Sequence, residues 1–105
     1  MKKIIEEYIR NSLEIDEQEL IDELVRDYVL LFTQSLANMQ KAFEKRDFFA
    51  LRILAHTLKG SSSNIGAEPV RMVSLQLQDA AEACDEEPCA LCVAELEKLS
   101  AHLNN

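Results

Sequence analysis

Apolar residues in this chain recur three and four positions apart through four successive stretches, and nowhere alternate singly with polar ones. A period near 3.6 belongs to a helix with one buried face, and strict alternation to a strand. The first stretch carries a seam at Ile21, Val25, Tyr28, Phe32, Ser35, Met39 and Ala42, widened by Leu24, Leu31, Leu36 and Phe43. The second runs through Phe48, Leu51, Ala55, Leu58, Ser62 and Ile65. The third has Val70, Val73, Leu77, Ala80 and Cys84, and the last Cys89, Cys92, Leu96, Leu99 and Leu103. Helix punctuation separates them. Asp16-Glu17-Gln18-Glu19 reads as a start, with Asp16 at the cap and acids in the first turn, of a helix reaching about Arg46. Asp47 caps the second helix, and Gly66 ends it in a left-handed conformation. Pro69 fits the first turn of the third helix, and Pro88 opens the last one after an Asp85-Glu86-Glu87 turn. Four helices with short connections predict an all-α fold, an antiparallel four-helix bundle over residues 16–103. Residues 1–12, with Ile4, Ile5, Tyr8 and Ile9 on one side, predict a short N-terminal lid helix, and residues 1–105 read as a single domain.

The second helix has a further surface. His56, Lys59, Gly60 and Ser63 stand at i, i+3, i+4 and i+7, with Arg52 one turn earlier. At 100° per residue that surface lies roughly 110–120° from the centre of the apolar seam. The seam can therefore be buried while the imidazole stays in water. A neutral imidazole with one ring nitrogen held by a hydrogen bond presents the other as a nucleophile. Lys59 supplies a compact positive charge suited to phosphoryl oxygens. Gly60 costs the helix about 1 kcal/mol relative to Ala, which implies a packing or functional reason for its presence. Phe49 and Ile53 flank this surface, turned away from the seam. They are either buried against the lid or the long helix, or form an exposed apolar rim where a partner docks.

The run Ala55-His56-Thr57-Leu58-Lys59-Gly60-Ser61-Ser62, followed by Asn64-Ile65-Gly66-Ala67, closely resembles the signature of histidine-containing phosphotransfer (HPt) domains, the helical intermediates of multistep phosphorelays. The likeness extends from about Leu20 to Leu103. It implies that His56 is the phospho-acceptor, that Lys59 stabilises the phosphate and that Gly60 gives clearance for docking, with Ser63, Arg52, Phe49 and Ile53 around it. Members of that family often carry a Gln or Glu on the next helix that orients the imidazole; Gln78 matches, and Gln76, on another side of that helix, is the weaker candidate. The implied partners are response-regulator receiver domains and a hybrid sensor histidine kinase. The implied reaction takes a phosphoryl group from a receiver's aspartyl phosphate onto His56 and passes it to another receiver. Magnesium would come with the receiver, so no cofactor of this chain's own is expected, and the chain reads as a phosphocarrier rather than an enzyme.

Charge narrows the alternatives. Nineteen acidic against eleven basic residues leave a formal net charge of -8. An acidic chain is a poor ligand for nucleic acid or for an anionic membrane surface. With no run of 18 apolar residues and no secretory segment, a cytoplasmic monomer is expected. Met1 and the lid favour a free-standing carrier over a piece of a hybrid kinase. Against the overall acidity, Arg52, Lys59 and Arg71 would make a locally positive rim. Lys41, Lys45 and Arg46 either complement the end of the long helix or steer a partner.

Cys89-x2-Cys92 invites a metal or redox reading, but a structural zinc site takes four ligands and no second pair is nearby. All three cysteines fall on apolar seams, where a free thiol behaves as a small hydrophobe, so no metal site is assigned. His102 reads as a surface residue of the last turn. Two rival readings remain: a bundle that grips a receiver or kinase without being phosphorylated, and a redox or metal sensor built on the cysteines.

Overall fold

A computed structural model describes residues 1–104. Asn105, the last residue of the expected domain, lies outside the described residues. Five helices follow one another: α1 (Lys2–Asn11), α2 (Gln18–Glu44), α3 (Phe48–Ile65), α4 (Glu68–Glu82) and α5 (Glu86–Asn104). No strand occurs among the described residues. Each of α2 to α5 packs on the next, and α5 closes the ring against α2, while α1 rests on α2 and α3. The 27 residues of α2 run to about 40 Å at 1.5 Å per residue. That matches the 43 Å long axis of the molecule, so α2 spans its whole length.

The turns are built as their residues dictate. Asp47 caps α3 by accepting a hydrogen bond from the Ala50 amide at 3.1 Å. Gly66 ends it at φ 74°, with the Ala67 amide reaching back to Ser62 O at 2.9 Å. A Cβ at Gly66 would also run into the Tyr8 ring of α1, so this glycine is required twice over. Arg46 and Cys84 adopt the same left-handed turn without being glycine, at φ 54° and 53°. In each case the residue's own amide and the next one bond back across the last helical turn. Arg46 is held in place by an ion pair to Glu86 and by stacking of its guanidinium over Phe43, at 4.3 Å. Of the basic cluster before Asp47, Arg46 thus ties the α2–α3 turn to the start of α5.

Several expected positions shift. The long helix starts at Gln18 after Glu17 rather than Asp16, without a side-chain cap bond, and stops at Glu44. The last helix opens at Glu86, two residues before Pro88. In α2 the buried stripe moves from Ser35 to Leu36. A 3.6-residue period drifts against a 3.5-residue seam, and the larger apolar residue takes the interior place. Cys84 leaves the seam altogether and is exposed, because α4 stops at Glu82 and the chain turns there. Ser74 and Ala81 fill the α4 stripe instead, beside Val70, Leu77 and Ala80. Ile4 of the lid faces solvent, while Ile5 and Ile9 are fully buried.

Candidate functional site

The α3 seam is buried along Leu51, Ala55, Leu58 and Ser62. With that face inside, rotation about the helix brings the opposite flank into solvent. His56, Gly60 and Ser63 are all exposed there, and Arg52 and Lys59 are half-buried beside them. Phe49 is 67% exposed and Ile53 45%, which decides between the two readings open for them: they form an apolar rim in water. Arg52 lies over the Phe49 ring, 5.4 Å from its centre, and so keeps its charge at the edge of the rim.

Gln78 reaches the site from α4. Its Oε1 lies 3.3 Å from His56 Nδ1. A side-chain amide oxygen can only accept, so this contact selects the tautomer in which Nδ1 carries the proton. Nε2 is then left with its lone pair.

Gly60 answers a separate question. A Cβ built on it would meet nothing within 4 Å. The missing side chain therefore serves no contact among the described residues, and its effect is to leave the surface next to His56 open.

Lys59 has no ion pair among the described residues. It borders a cleft between α3 and α4, lined also by Gly60, Ser63, Asn64, Arg71 and Leu75. Arg71 does not stand free as the sequence suggested, since its Nε donates to Glu68 Oε2 at 2.7 Å. The pair holds the Glu68 carboxyl below its usual range and raises Arg71 in return. The participation of Asn64 and Leu75 in this cleft was missed in the sequence. Asn64 was visible one residue beyond Ser63, but the α4 partner depends on how the two helices cross.

The cysteines do not assemble into a site. Cys89 and Cys92 are buried and Cys84 exposed, all as free thiols. Among the described residues, no three His, Cys, Asp or Glu side chains come together as metal ligands. No described helix is long and apolar enough to cross a membrane.

An imidazole in water, a lysine one turn on and a bare glycine beside it thus share one face of α3. The model of the Hpt domain matches residues 18–104. The chain belongs to the Hpt domain family. The match takes in all four bundle helices of this Hpt domain, and α1 precedes it. Two curated relatives are similar over a shorter stretch. The multistep phosphorelay regulator 1 of Schizosaccharomyces pombe is 36% identical over 64 residues, 61% of this chain and 22% of that protein. The phosphorelay intermediate protein rdeA of Dictyostelium discoideum is 36% identical over 62 residues, 59% of this chain and 24% of that protein. The matched stretch thus spans less than a quarter of either relative's length. No solved structure matches significantly.

Proposed function

We propose that this Hpt domain is a phosphorelay carrier in which His56 takes a phosphoryl group from the aspartyl phosphate of a receiver domain and returns it to another. The observation that carries the reading is the Gln78 Oε1 contact to His56 Nδ1, at 3.3 Å, on an exposed ring. It leaves the Nε2 lone pair facing solvent. In the transfer, that lone pair forms a P–N bond as the P–O bond to the receiver's carboxylate breaks, and the carboxylate leaves with the electron pair. The imidazole then carries positive charge, spread towards Nδ1–H and the Gln78 oxygen. Lys59 places its ammonium near the phosphoryl oxygens as charge redistributes over them. The receiver supplies magnesium and most of the reaction site; this chain supplies a held ring, a cation and access. Phe49, Ile53 and Arg52 form the docking rim, with Gly60 and Ser63 as its flat centre. Both relatives are named for phosphorelays, which supports placing this chain in one as well. Its partners on this reading are receiver domains, including one attached to a hybrid sensor kinase, and the domain works as a monomer in the cytoplasm.

The test is transfer itself. The protein is incubated with a phosphorylated receiver and examined for label that is lost in acid and stable in base. His56→Gln should carry none; label retained on that variant would remove His56 from the role. Lys59→Ala should transfer more slowly with unchanged far-ultraviolet helicity, and a loss of helicity would make Lys59 structural instead.

A further inference from the structure

Of the residues lining the cleft beside Lys59, Lys59 itself serves the transfer step, while Asn64, Arg71 and Leu75 have no part in it. The cleft is an open groove of ≈ 330 Å³ between α3 and α4. Ser63, on its wall, lies about 10 Å along α3 from His56 at 1.5 Å per residue. A phosphoryl group on His56 Nε2 is a single tetrahedron and does not reach that far. An anion held between Ser63 and Arg71 is therefore a second one.

The lining is made for an anion. Lys59 brings an ammonium with no ion pair among the described residues. Arg71 brings a guanidinium held from behind by Glu68, through Nε and Nη2. Its Nη1 has no partner among the described residues, so one edge of the fork remains unused. Ser63 and Asn64, both exposed, add neutral donors, and Leu75 gives an apolar wall, itself 37% exposed. With Lys59 serving the phosphoryl group, the one charge left for a second anion is that of Arg71, partly offset by Glu68, in a chain whose total is -8. One charge suits a carboxylate better than a doubly charged phosphate, and the apolar wall suits the methylene stem of an acidic side chain.

We propose that this cleft takes an Asp or Glu side chain of the docked receiver domain, and that Arg71 is a specificity-determining residue for which receivers this carrier accepts. The proposal rests on the phosphocarrier reading, because the cleft adjoins the same docking face. Glu68 sets the strength of the contact: it fixes the orientation of Arg71 and offsets part of its charge.

Two variants test it in opposite directions. Arg71→Gln and Glu68→Gln break the same ion pair, so a merely structural role would move both the same way. The probe is the receiver domain of the source organism that transfers fastest to His56. Arg71→Gln should weaken its binding by about three- to tenfold, and Glu68→Gln should tighten it by about two- to fivefold, both effects shrinking at high salt. In steady-state transfer the change should fall on KM rather than kcat. Equal or same-sign shifts would overturn the proposal. So would competition by inorganic phosphate that depends on Arg71, which would make the cleft a site for the free ion. If His56→Gln keeps its label, or no receiver transfers, the carrier reading itself falls. If His56→Gln loses label and both variants bind as the native protein does, only the cleft is wrong.

Discussion

Tyr28 Oη lies 2.6 Å from Ser62 Oγ in the interior, one hydroxyl from α2 and one from the helix that carries His56. Tyr28 is 4% exposed and Ser62 fully buried. The pair lets two polar groups sit inside an apolar stripe, since each satisfies the other. Tyr28→Phe leaves Ser62 buried and alone, and should destabilise the protein by about 1–3 kcal/mol. Tyr28→Phe with Ser62→Ala should recover much of that loss. Urea unfolding of the three variants gives the comparison, and a double variant no better than Tyr28→Phe would mean the ring's position, not the bond, is what matters.

The same residue sets an alkaline limit. Burial pushes the Tyr28 hydroxyl up from 10.0 to about 12, the bond to Ser62 offsetting only part of this. The folded state thus favours the protonated form. The stability this contributes is complete below pH 10 and is lost as pH rises towards about 12. Thermal unfolding between those limits should therefore fall more steeply for the native protein than for Tyr28→Phe. Parallel pH profiles would show that Tyr28 ionises without cost in the fold.

Gly60 separates helix stability from docking. Open space surrounds the place where its Cβ would be, so Gly60→Ala should fit and should stabilise the helix by about 1 kcal/mol. Gly60→Gln, equally compatible with the helix, should block transfer from a phosphorylated receiver by filling the approach to His56. Normal transfer by Gly60→Gln would end the clearance argument, whatever its melting temperature.

Much of this was legible in the chain, and the physical reason is the same throughout. The α3 seam and the His56 face follow from one 3.6-residue period, and both lie where that period puts them. Asp47 and Gly66 mark the helix ends because a side-chain acceptor and a left-handed turn are local properties. The misplacements also have a local cause. Cys84 was put on the α4 seam because nothing in its residue type signals a left-handed turn, and Arg46 gives no such signal either. Ser74 carries no sequence signal of burial, since a serine does not look like an interior residue, yet it is fully buried. The Arg71–Glu68 pair and the cleft it borders depend on the α3–α4 crossing, which no single helix specifies.

Ser74 gives a check on how α4 packs into the core. Its Oγ is buried and finds no hydrogen-bond partner among the described residues. Ser74→Ala removes the unpaired hydroxyl while keeping the small volume, and should stabilise the domain by about 1 kcal/mol. Ser74→Val should destabilise it by about 1–3 kcal/mol through overpacking. If Ser74→Ala loses stability, the hydroxyl has a partner in solution.

The cysteines offer a last discrimination, between a carrier and a thiol-based sensor. Burial raises the Cys89 thiol from 9.0 to about 11, with Cys92, Asp85 and Cys84 adding to it, and burial raises Cys92 as well. Only the thiolate reacts, so both should be slow towards a disulfide reagent at neutral pH. Cys84, exposed at the α4–α5 turn, should react alone in the native protein, with the other two following only on unfolding. Modified Cys84 should leave transfer to His56 unaltered, because the thiol belongs to a turn outside the His56 face. Rapid reaction of all three native thiols, or stoichiometric zinc in the purified protein, would instead favour the sensor.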